Sequence, residues 1–174
     1  MKDLITDIPT IERLAQEADE ENWDFRQFIK SSTWGEDGFD GAMHAVAAEV
    51  TRQIDCTACA HCCRTMLIAV SHTDIERLSK RLGITPGEFQ VKYVSASEHG
   101  EMILADQPCP FLEGNLCSVY EDRPDDCRSF PNLHHEDMWE RTFAILSNAA
   151  ICPIVFNSLE RVKQIAPWRP RRRR

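Results

Sequence analysis

The chain has 174 residues, 43% hydrophobic and 28% charged, which is room for one modest core and too balanced a mixture for global disorder. Net charge is −8, but five of the 20 basic side chains sit in the last seven residues; the other 15 face 28 acidic ones and leave the body at −13. A body of that sign repels phosphate and argues against nucleic acid as a partner, and no stretch approaches the roughly 18 uninterrupted apolar residues of a membrane span.

In chain order the pattern is helical. Ile8, Ile11, Leu14, Ala15 and Ala18 line one helical face, which the acidic run Glu17 to Glu21 interrupts. Trp23, Phe25, Phe28 and Ile29 anchor a second piece that stops at Ser31 to Gly35. Phe39, Met43, Val46, Val50 and Ile54 then recur at three- and four-residue steps and carry the chain into Cys56. Met66 to Val70 reads as a short buried strand. Thr73 to Glu76 has capping-box spacing for a helix that Gly83 ends, and Thr85-Pro86-Gly87-Glu88 repeats the signal with Phe89 and Tyr93 facing inward. Met102 to Ala105 is a second strand, and Glu113-Gly114-Asn115 turns a hairpin that brings Cys109 and Cys117 near each other. Asp122 is expected to cap a short helix holding Cys127 and Arg128. Glu136 to Asn148 is expected as a helix with Trp139, Phe143 and Leu146 inside. Pro153 opens a last helix, which places Cys152 at its cap.

Eight cysteines punctuate this pattern. Four fall within eight residues, Cys56, Cys59, Cys62 and Cys63, and four follow at Cys109, Cys117, Cys127 and Cys152. The N-terminus shows no apolar leader and no small-residue cleavage site, so the expected location is the cytoplasm. There thiols stay reduced, and clustered cysteines favour metal chemistry over disulfides. A Cys-x2-Cys step delivers two sulfurs around one turn to one metal, and the next step adds a third. Adjacent Cys62 and Cys63 must diverge, towards different irons of one cluster or towards a second metal. The run matches the first three ligands of a bacterial iron–sulfur site whose remote cysteine precedes proline, as Cys109-Pro110 and Cys152-Pro153 do. Zinc takes the same thiolates. An iron–sulfur cluster is favoured over zinc, with all eight cysteines as candidate ligands.

The segments Cys56 to Cys63, Cys109 to Leu112, Cys117 to Pro124 and Cys127 to Pro131, with Ser71 to Ile75 between them, resemble the CxxCxxCC family of YkgJ type, described as a zinc- or iron-chelating domain. The resemblance spans about residues 55 to 153. It implies a chelated metal and leaves the substrate open. A relative in that family, a flagellin lysine methylase, combines such a motif with methyl transfer, which keeps an enzymatic role as the alternative, beside a zinc-stabilised interaction module.

Other side chains have ordinary roles open to them as well as functional ones. Arg128, beside Cys127, and Arg64, after the dense run, are candidates to offset thiolate charge or hold an anionic group; the plainer reading of Arg128 is an ion pair with Asp122, Asp125 or Asp126. His61 is read as turned from the metal or bonded to a sulfur. His134-His135 with Glu136-Asp137 reads as a solvated helix start, and Tyr120 as core. No dinucleotide or phosphate loop occurs. The expected fold is mostly α with short β-hairpin segments: helices over 1–54, a cysteine-cluster domain over 55–167 and a basic, solvated tail over 168–174. The expected role is a cytoplasmic metal- or cluster-binding protein, structural or electron-carrying, with a protein partner.

Overall fold

A computed structural model describes residues 3–170. It is mostly α, with two small antiparallel strand pairs. Among the described residues no single helix is long and apolar enough to cross a membrane.

The chain forms two compact units, one running to Asp55 and resuming at Pro131, the other Cys56–Phe130. The last helix therefore belongs with the N-terminal helices, whereas the sequence reading grouped it with the cysteines.

In the first unit, α1 (Ile8–Glu17) starts where Asp7 accepts the Thr10 N–H at 3.0 Å. It breaks at Ala18, and α2 (Asp19–Ser31) begins with three acidic residues matched to the positive end of its dipole. Then come the short α3 (Thr33–Asp37) and α4 (Phe39–Thr51). Gly35 of α3 has no room for a side chain, since a Cβ there would lie 1.8 Å from the Ile29 carbonyl oxygen. Phe25, Ile29, Phe39, Met43 and Val50 are buried as the periodicity requires, while Trp23 is 39% exposed and does not anchor the core. The α11 helix (Pro153–Ile165) packs along α4 and against α10 (Thr142–Ala149). Its Lys163 side chain is buried, with Nζ held by Glu21 at 2.9 Å, Asn22 at 3.0 Å and Glu160 at 2.5 Å.

Two expectations fail here. Residues 136–141 form turns, so α10 starts at Thr142; its inner face is Thr142, Ile145 and Ala149, and Phe143 lies outside at 59% exposure. The turns follow from Asn132 and Asp137, both at positive φ, a conformation incompatible with helix. His134 and His135 stack in this segment at 4.5 Å between ring centroids, and the His44 Nε2–H donates to the His135 carbonyl at 2.7 Å. Trp168, expected in the solvated tail, packs edge-on to Phe25 at 5.0 Å; Arg171 to Arg174 lie outside the described residues.

The second unit surrounds a core of Ile68, Val70, Ile75, Leu78, Phe89, Leu104, Phe111 and Val119. One-turn helices α5 (Cys56–Cys59) and α6 (Cys62–Thr65) carry the dense run. Met66 to Val70 is extended but is not a full strand: one bridge, Ala69 to Ile103, attaches it to β2 (Met102–Leu104), whose long pairing is with β1 (Val94–Ala96). The α7 helix (His72–Leu82) begins two residues earlier than expected, with a Ser71–Asp74 capping box instead of Thr73–Glu76, and ends at Gly83 with φ 69°. The α8 helix (Pro86–Tyr93) has the expected Thr85–Glu88 box. Strands β3 (Leu112–Glu113) and β4 (Leu116–Cys117) form the expected hairpin through Gly114 at φ 63°. Tyr120–Asp122 is a 3-10 turn, so Asp122 does not cap the following α9 (Asp125–Ser129). Tyr120 is 49% exposed under the Arg123 guanidinium, not core.

Candidate metal centre

Seven of the eight cysteines lie in the second unit; Cys152 is buried in the first, at the cap of α11. Within the second unit the elements bring four thiols into one group. Cys63 sits on α6, Cys109 in the loop before the hairpin, Cys117 on β4 and Cys127 on α9. Cys63 acts electrostatically on Cys109, Cys117 and Cys127, Cys117 on Cys109 and Cys127, and Cys109 on Cys127, so the four share one neighbourhood although up to 64 positions separate them.

Backbone and side-chain contacts outside the sulfurs hold the carriers together. The Cys109 N–H donates to the Cys63 carbonyl at 2.8 Å, which joins the dense run to the hairpin loop. Arg64 extends the same join: its guanidinium donates to the Cys59 carbonyl at 3.1 Å, the Gly114 carbonyl at 2.8 Å and the Asn115 side-chain oxygen at 2.6 Å. Asn115 returns a bond to the Ala58 carbonyl at 2.9 Å. Between α5 and α6, Ala60 is buried at φ 49°, a left-handed turn that costs an alanine free energy and persists only where its surroundings fix it.

Electrostatics divides the four. Burial pushes the Cys127 thiol up to about 12, with the Cys109, Cys63, Asp126 and Cys117 charges adding to the rise. Cys109 and Cys117 are also raised, chiefly by burial, with backbone N–H groups partly opposing it. Cys63 is brought down to about 6 by the hydrogen bond from Cys62, against burial and with help from the Arg64 charge. Four thiols crowded in low dielectric resist ionising together unless a cation joins them, and a bound cation reverses the balance. That donor set fits zinc or iron, both of which take thiolates. Among the described residues no three His, Cys, Asp or Glu side chains stand close enough to hold a metal ion as they are placed. The thiols thus share a region without converging on one point.

The remaining candidates fall around this group. Cys56 is exposed, and Cys59 and Cys62 are half-buried on the same two short helices. Arg128 is turned to backbone: it donates to the carbonyls of Glu121 and, at 3.1 Å, Arg123, and lies 3.7 Å from the Asp125 carboxylate. Periodicity and spacing gave no hint of Asn115, whose role depends on where the hairpin turn lands. Asp74 and Arg77 were equally hidden: they reach the loop before Cys127 from α7.

No curated protein and no solved structure matches the chain. A family model does, over residues 55–153, which take in all eight cysteines, and its description is a zinc- or iron-chelating domain. On that match the chain belongs to the CxxCxxCC family.

Proposed function

We propose that the protein carries an iron–sulfur cluster held by Cys63, Cys109, Cys117 and Cys127, in the cytoplasm, in a structural or electron-carrying role that serves a protein partner. The observation that carries this reading is that the Cys63, Cys109 and Cys117 charges all bear on Cys127, although the four thiols come from four separate segments. One cysteine of the dense run joins a remote Cys-Pro, Cys109-Pro110, through the 2.8 Å bond between their backbones. When bound, such a cluster supplies a one-electron redox couple tuned by charge and hydrogen bonds around its sulfurs. The chain's own part is to gather the thiols, to shield three of them from water, and to set Arg64 and Arg123 beside Cys63 and Cys117 as compensating charge. Cys56, Cys59 and Cys62 remain next to Cys63 as further donors. Zinc on the same four thiols is the alternative.

Anaerobic purification followed by iron, zinc and acid-labile sulfide analysis separates the two. The expected protein is brown, with iron and sulfide in comparable amounts. Colourless protein with stoichiometric zinc and no sulfide would replace the cluster by zinc.

A further inference from the structure

Cys127 sits on a helix of five residues, too short to hold a geometry through its own hydrogen bonds. What fixes that helix comes from α7. Asp74 is 2% exposed, and both of its carboxylate oxygens are used. Oδ2 closes the cap of its own helix, accepting the Ser71 N–H at 2.9 Å and the Ser71 hydroxyl at 2.7 Å. Oδ1 crosses to the other segment and accepts the Asp125 N–H at 3.1 Å. One turn on, Arg77 pairs with the same carboxylate and donates to the carbonyls of Asp122 at 3.2 Å and Arg123 at 2.9 Å, and to the Asp125 carboxylate at 2.9 Å. Three backbone positions just before Cys127 are thereby tied to an eleven-residue helix capped at both ends.

A buried ion pair is a poor stabiliser, because desolvating two charges offsets most of their attraction; its use is to fix a geometry. A guanidinium suits that use, since its planar donors reach several oxygens at once where an ammonium cannot. The cations that act on the thiols directly are Arg64 and Arg123. Arg77 instead meets Asp74 and the loop.

We propose that Asp74 and Arg77 are positioning residues of the metal centre: from α7 they fix the backbone of residues 122–125 and so set the Cys127 thiol against Cys63, Cys109 and Cys117. The proposal rests on the four-thiol reading of the function. Outer residues that orient ligands typically change metal affinity by about 10- to 100-fold when removed.

The test uses the full-length chain, apo and reduced, titrated with cobalt(II), whose thiolate charge-transfer band reports the number of bound sulfurs. Arg77→Gln is compared with Ser71→Ala, which weakens the α7 cap but leaves the Asp74 Oδ1 to Asp125 bond in place. Arg77→Lys, which keeps the charge, serves if the glutamine variant does not fold. Arg77→Gln or Arg77→Lys should bind cobalt at least tenfold more weakly with about a quarter less band intensity, while Ser71→Ala stays within twofold of wild type. Iodoacetamide labelling of the apo proteins, mapped by mass spectrometry, should rise at least fivefold at Cys127 relative to Cys109 in the Arg77 variants alone. If wild type binds no cobalt but Cys127 labelling rises selectively, the positioning stands and the metal reading falls. If wild type binds cobalt and the Arg77 variants match Ser71→Ala in affinity, band and labelling, the positioning role is overturned.

Discussion

Serine in place of Cys63, Cys109, Cys117 or Cys127 is expected to lower metal affinity at least a hundredfold, whereas Cys56→Ser and Cys59→Ser stay within about threefold. The asymmetry follows from the proposed grouping, in which Cys63, Cys109 and Cys117 each act on Cys127. A hundredfold loss corresponds to about 3 kcal/mol. Because metal binding free energy is also folding free energy, melting of the second unit should fall with it, by roughly 4–8 °C per kcal/mol for a unit of this size. Metal analysis after dialysis, paired with calorimetry of each variant, checks this. Equal losses across all six variants would mean that the dense run acts as a whole. Unchanged metal in the Cys109, Cys117 and Cys127 variants would make the site local to residues 56–63.

Metal removal should act unevenly along the chain. The main core cluster of the second unit holds eight buried apolar residues, and its strand pairs are two and three residues long. Pieces this small depend on staples. The first unit has the α4–α11 packing and a larger set of fully buried side chains, among them Phe25, Phe39, Met43 and Leu159. A chelator is therefore expected to raise hydrogen exchange across Cys56–Phe130 by more than tenfold and to leave α4 and α11 within about twofold. Acid should act in the same direction. Metal binding needs thiolates, three of the four thiols are raised, and each proton added competes with the metal, so affinity rises with pH and is lost as pH falls. Asp74 adds to acid sensitivity. Burial pushes its carboxyl up, but bonds from Ser71 and Asp125 and the Arg77 charge outweigh burial and hold it below its ordinary value. Its contribution is present above about 3.9 and is lost as pH falls through the lower folded value. Exchange that rises equally in both units on chelation would contradict the account.

The features legible in sequence were those that short-range physics decides. The α4 stripe is a 3.6-residue period, Gly83 ends a helix because it tolerates positive φ, and Gly114 turns the hairpin for the same reason. Chelation was legible as well, from thiol density and family resemblance. Which thiols meet was not. Spacing favoured Cys56, Cys59 and at least one of Cys62 and Cys63, completed by a later cysteine it could not single out, since grouping depends on the Arg64–Asn115 join and on α7 reaching the 122–125 loop, contacts between residues about 50 positions apart. Strand β1 was missed because Val94-Ser95-Ala96 lacks apolar alternation and exists by pairing with β2. The 136–141 segment misled because its apolar spacing imitates a helix while Asp137 adopts left-handed backbone. Asp122 has the composition of a cap, but the chain uses it to end a 3-10 turn and to face Arg81 at 3.7 Å.

X-ray absorption at the metal edge of the anaerobically purified full-length protein tests the central claim most directly. The account predicts four sulfurs about each iron, from cysteine and cluster sulfide, at about 2.3 Å; in Cys127→Ser a lighter ligand replaces the cysteine sulfur on one iron, so the average sulfur number falls by a fraction of one. A first shell dominated by nitrogen or oxygen in the wild type, or an unchanged sulfur number in Cys127→Ser, would contradict it.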